Sequence, residues 1–138
     1  MSYIDDKVRE VIDNLPNECA YIDYKEIPYL KTYYHDLVKD VIAMLNSLEA
    51  KGHDKFIVFG ITDNKEKIGI ESFLRDSKEK FDDAIYQNSF DKIFPRPHIQ
   101  CGKIEYENHT YGYIYIEDKL NTADIYEVQI MVLTKTKF

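Results

Sequence analysis

The chain has 138 residues, 44% of them hydrophobic and 14% aromatic, with 12 tyrosines and no tryptophan. That is one ordinary domain with enough apolar material for its own core, which excludes disordered, collagen-like and low-complexity classes. A net charge of −7 argues against gripping duplex nucleic acid through a basic surface, but it is compatible with carboxylates that hold a cation.

Cys19 and Cys101 are too few for a disulfide scaffold. Residues 1–13 are charged and helical in pattern, unlike a signal peptide. No stretch approaches the roughly 20 apolar residues of a membrane-spanning helix. The expected location is cytoplasmic, with no membrane partner.

The first expected element is a helix over residues 5–14, with Val8, Val11, Ile12 and Leu15 at helical spacing and Pro16 ending it. Residues 21–26 then read as a strand, rich in aromatic and β-branched side chains. A helix over residues 33–48 carries the apolar stripe Leu37, Val38, Val41, Ile42, Leu45 and Leu48. Residues 56–61 are apolar on both faces, the pattern of a central strand covered on both sides. Turn chemistry at residues 62–65 precedes a short returning strand over 67–70. A second long helix is expected over 72–89, burying Phe73, Phe81 and Ile85. Strands over 98–105 and 110–117 are joined by a hairpin turn at 106–109. Alternation of Val128, Ile130 and Val132 marks a last strand over 126–133. Hairpins and helices mix without a regular βαβ repeat, which predicts an α+β fold: one domain over residues 1–138, a mixed β-sheet packed by helices.

Three strings share a spacing with known domains. Glu18-Cys19-Ala20-Tyr21-Ile22-Asp23-Tyr24-Lys25-Glu26 is followed by Ala43-Met44-Leu45-Asn46-Ser47 and then by Phe56-Ile57-Val58-Phe59-Gly60-Ile61-Thr62-Asp63-Asn64. In order and spacing they resemble the Schlafen-type AlbA_2 domain, with the likeness running over residues 13–118. The resemblance implies a metal-dependent endoribonuclease acting on structured RNA such as tRNA. Its three acidic residues map onto Glu18, Asp23 and Asp63, which would hold Mg²⁺ or Mn²⁺. Position 23 is Asp here, one methylene shorter than the family's Glu, and the family's Gly-Gly turn after the helix is replaced by residues 48–53. Vertebrate members pair two lobes to grip tRNA, so a homodimer would be the equivalent for this single lobe.

The residues make chemical sense of that implication. Clustered carboxylates hold the hard, oxygen-preferring ions that assist phosphodiester hydrolysis. Lys25 shares a strand face with Asp23 and could meet a phosphate as a point charge. Lys31, Lys39, Arg96 and Lys103 are further candidates for the nucleic-acid backbone. Glu18 and Asp23 are five apart, an odd separation that puts them on opposite faces of a regular strand. Glu18 must therefore lie in the loop after Pro16, or a bulge must intervene. Read without the resemblance, Asp23 and Lys25 form a strand salt bridge, and Asp63 is a turn residue. His98 and Cys101 have a ligand-like spacing, but zinc wants four ligands, and Cys101 fits a small core residue better. No phosphate loop of the G-x4-G-K-[ST] type is present, so ATP binding has no local support. Tyr21, Tyr24, Tyr29, Tyr33 and Tyr34 are either core edges or platforms for unpaired bases. A non-catalytic nucleic-acid-binding module and a protein-interaction domain remain as alternatives.

Overall fold

The computed structural model describes residues 3–78, 81, 83–94, 96–118 and 127–128. Helix α1 (Tyr3–Asn14) buries Val8, Val11 and Ile12. It stops at Leu15, whose φ of 40° leaves helical space just before Pro16. Strand β1 (Ile22–Lys25) leads through a 3-10 turn into α2 (Tyr34–Asn46), which buries Leu37, Val38, Val41 and Met44. Strand β2 (Lys55–Phe59) follows, then short helices α3 (Glu71–Asp76) and α4 (Asp83–Phe90). Strands β3 (Ile93–Phe94), β4 (Ile99–Tyr106), β5 (His109–Ile116) and β6 (Glu127–Val128) complete the described chain.

Four strands form one sheet in the order β1-β2-β5-β4. β1 and β2 are parallel, which needs a crossover, and α2 is that crossover. The β2–β5 and β5–β4 pairs are antiparallel. The fold is α+β with a mixed sheet, as the pattern of elements predicts.

Helices lie on both faces. On one, Leu37, Val41, Tyr86 and Phe90 pack on Ile57, Phe59, Ile114 and Ile116. On the other, Val8 and Ile12 pack on Val58, Tyr111, Tyr113 and Tyr115. Strand β5 shows why so many tyrosines are present. Its odd positions place tyrosines under α1, and its even positions place Ile114 and Ile116 under α2 and α4. Covering on both sides also explains β2, buried at all five positions, including Lys55. The Lys55 ammonium reaches His53 O at 2.9 Å and Asp118 at 3.8 Å.

Two expectations are corrected, and a third falls mostly outside the described residues. Residues 67–70 do not pair as a returning strand; a single bridge joins Ile61 and Lys67. Ile68 and Gly69 both donate to Gly60 O at 2.9 Å, and this close turn of Gly69 onto Gly60 replaces a ladder. The long helix over 72–89 is two helices. α3 ends at an extended Ser77, and Phe81 inserts between α3 and α4 against Phe59 and Tyr86. A continuous helix would deny that aromatic its place in the core. Phe73 is partly buried, and the Ile85 side chain lies outside the described residues. Of the expected tail strand, only Glu127 and Val128 are described, and they pair with β3. The hairpin turn does form, with Glu107 and Asn108 at φ 49° and 70°, as a two-residue turn requires.

Candidate functional site

The loop after Pro16 turns back on itself. Cys19 and Ile22 form an antiparallel bridge closed by Ala20 and Tyr21, with N–H···O distances of 3.0 and 3.4 Å. The next pair outward is Glu18 and Asp23. A separation of five, wrong for one strand, is what a two-residue turn needs to put two side chains abreast. Glu18 Oε2 also accepts the Tyr24 N–H at 3.1 Å, and the Tyr24 hydroxyl donates to Pro16 O. β1 is an edge strand, so this fold-back satisfies an amide that would otherwise offer itself to another chain.

Asp23 and Lys25 face α2. Lys25 Nζ lies 3.2 Å from Asp23 Oδ2 and 3.7 Å from Asp40 Oδ2. The Tyr29 hydroxyl donates to Asp40, and the Lys25 ammonium stands 5.7 Å from the Tyr29 ring centre. The result is a linked row: Glu18, Asp23, Lys25, Asp40, Tyr29. Burial, and then a hydrogen bond to Glu18, push the Asp23 carboxyl up to about 7. The same hydrogen bond holds Glu18 below the ordinary carboxylate range, helped by the Tyr24 N–H and Lys25. Asp23 is therefore the donor of the pair and Glu18 the ionised acceptor. Burial alone would lower Lys25, but Asp23, Asp40 and Glu18 outweigh it and hold the ammonium above its usual value.

Two shallow cavities flank the row. One of about 310 Å³ is lined by Glu18, Asp23, Asp40 and Ser47 among others. One of about 410 Å³ is lined by Lys25, Tyr29, Tyr33 and Lys39 among others. Asp63 lines neither. It is exposed in the turn after β2, which starts beside Lys25, where Gly60 and Ile61 donate to Lys25 O at 2.7 and 3.2 Å. Lys65 donates to Asn17 and so ties that turn to the loop carrying Glu18. Even so, no group of three or more Asp, Glu, His or Cys side chains converges on a metal position among the described residues. Glu18 and Asp23 alone do fit Mg²⁺ or Mn²⁺ of the kind held by one or two carboxylates, with water and substrate phosphate completing the shell.

The basic candidates divide. Lys31 sits in the β1–α2 connection, and Lys39 shares the Lys25 cavity. Arg96 is bound by Asp91 at 2.8 Å and by Gln87 at 2.9 Å, beside a different cavity. Lys103 is on β4, the edge of the sheet away from β1. Cys101 is in the core, whereas His98 is exposed near Glu117.

Asp40 is a member of the row that sequence reasoning missed, and Tyr29, read there as a core edge or base platform, joins the row through Asp40. A signal existed: Asp36, Asp40, Ala43 and Ser47 recur at helical spacing beside the apolar stripe of α2. All four line one or other flanking cavity.

One solved structure shares this architecture. The crystal structure of the DIP2311 protein from Corynebacterium diphtheriae aligns with a TM-score of 0.57 at 15% identity, covering 91% of this chain and 23% of that one. This chain therefore spans about a quarter of that protein, and the likeness is one of fold. The solution structure of the N-terminal domain of a RecG-related protein from Nitrosomonas europaea aligns at 16% identity with a TM-score of 0.48, covering 91% and 80% of the two chains. No curated protein matches. The Schlafen AlbA_2 family model matches residues 18–136, starting at Glu18 and taking in the tail beyond the motifs. The helices on a mixed sheet and this match over most of the chain together show that the chain belongs to the Schlafen AlbA_2 family.

Proposed function

We propose that this domain acts on nucleic acid and cleaves the backbone of structured RNA such as tRNA, with Glu18, Asp23 and Lys25 as its working group. The observation that carries the reading is the fold-back at residues 19–22, which sets Glu18 beside Asp23 with Lys25 3.2 Å from Asp23. Family membership supports a nucleic-acid-related role.

Each residue has a part. Glu18, ionised, and Asp23 would hold Mg²⁺ or Mn²⁺, which when bound polarises the phosphate and lowers the pKa of water. Asp23, near 7 in the free protein, would give up its proton when the cation binds, which at neutral pH costs little. Lys25 faces a phosphate oxygen and offsets charge gathered there. Asp40 and Tyr29 position Lys25. Asp63, expected as a third metal ligand, would join only if its turn moved toward Asn17 and Glu18.

The test is incubation with a tRNA pool in Mg²⁺ or Mn²⁺. Cleavage should be lost in EDTA and reduced by at least two orders of magnitude in Glu18→Gln and Asp23→Asn. Cleavage that survives both the chelator and the substitutions overturns the assigned group.

A second reading is favoured by the outlying position of Asp63 and by the two carboxylates already holding Lys25. It is a binding module without turnover. Salt-sensitive RNA binding with no product under any metal would establish it.

A further inference from the structure

A cavity of about 730 Å³ lies on the other side of the 18–22 fold-back, between α1 and the sheet. Nothing in the proposed chemistry uses it. Its floor is apolar, with Val11, Ile22 and Phe56. At one wall the rings of Tyr21 and His53 stack 4.1 Å apart and within 1° of parallel. His53 is exposed and Tyr21 half-buried. We infer that this cavity is a nucleobase site, in which the Tyr21–His53 pair stacks a base adjacent to the phosphate met by Glu18, Asp23 and Lys25.

Charge decides between base and phosphate. The cation in its lining, Lys7, is already held by Asp54. Glu10 and Glu117 add further negative charge to the lining. A phosphate would be repelled there. A neutral planar ring with exocyclic amino donors is complementary to aromatic stacking surface and carboxylate acceptors. Position decides that the ring belongs to a nucleic acid. Ile22 lines both this cavity and the one beside Glu18 and Asp23, so the fold-back is their common wall. Tyr21 and Asp23 are two residues apart, at most about 7 Å along the chain, so a strand crossing the wall has its phosphate and a base within reach of the two cavities. This inference deepens the proposed reading and rests on it for the direction of the strand.

The experiment titrates the full chain, in EDTA, with a single-stranded oligoribonucleotide carrying one 2-aminopurine. Stacking should quench its fluorescence. Tyr21→Ala and His53→Ala should each weaken binding about tenfold or more and abolish the quenching, while Tyr21→Phe retains both. His53→Ala alters an exposed position, so the test does not depend on a variant that fails to fold. Unchanged affinity and quenching in folded His53→Ala and Tyr21→Ala overturns the base site and leaves the cleavage reading standing. Quenching that depends on both rings, without cleavage of any RNA in Mg²⁺ or Mn²⁺, supports the base site and overturns cleavage. A wild-type chain that neither binds nor quenches overturns the base site.

Discussion

Asp23 carries a titration that can be measured apart from any activity. Its carboxyl moves from 3.8 to about 7 on folding, through burial and the hydrogen bond to Glu18. Between those pH values the folded chain keeps a proton that the unfolded chain has released. The stability this group contributes is therefore full below about pH 4 and is lost as pH rises through about 7. Glu18, shifted down, has the opposite sign and loses its contribution as pH falls through its lowered value. In metal-free buffer, Asp23→Asn should gain stability relative to wild type as pH rises from 4.5 to 7.5, read as urea midpoints. A constant difference would refute the assignment. Lys25 restrains the same shift, since its charge lowers Asp23. Lys25→Met should move the Asp23 carboxyl still higher, visible as a later midpoint in a carbon-detected carboxyl titration.

At the scale of elements, the turn after β2 is tightly constrained. Gly60 has φ 109°, and a Cβ there would meet Gly69 Cα at 2.8 Å. Gly60→Ala should destabilise the chain by about 2 kcal/mol or more and shift the Asp63 turn, checked by chemical denaturation and by amide shifts of residues 60–69. Strand β2 is the other fixed point. Ile57 is fully buried in the core under α2, so Ile57→Ala should cost about 2–5 kcal/mol. Both positions adjoin the working group: the Gly60 N–H donates to Lys25 O at 2.7 Å, and Ile57 pairs with Asp23 across β1 and β2. Either substitution should therefore lower activity by more than its unfolded fraction alone accounts for.

Across the whole molecule, the net charge of −7 and the scatter of the basic residues limit how nucleic acid is held. Lys25 and Lys39 share one cavity, while Arg96 and Lys103 lie elsewhere. Two phosphate contacts on a single strand predict a slope of about −1.4 in log affinity against log salt. A much steeper slope would mean that a basic surface beyond these residues carries binding. Among the described residues, no helix is long and apolar enough to cross a membrane.

Periodicity and composition determined much of this protein. The two-faced apolarity of residues 56–61 marked the central strand, and the stripe of α2 marked its crossover. The spacing of Glu18, Asp23 and Lys25 carried the family. Those signals are local, and helix and strand periods express them directly. Other features were beyond local reading. The break at Ser77 depends on where Phe81 finds a pocket, and the missing strand at 67–70 depends on Gly69 packing on Gly60. Asp40 enters the row only because α2 crosses over β1, and Tyr21 meets His53 only because two loops converge. The sequence by itself determined most of the elements and the candidate carboxylates. Tertiary structure alone decided that Glu18 stands abreast of Asp23, that Asp63 stands apart and that an aromatic cavity shares their wall. Which side chains meet depends on how distant elements pack, and no local period encodes that.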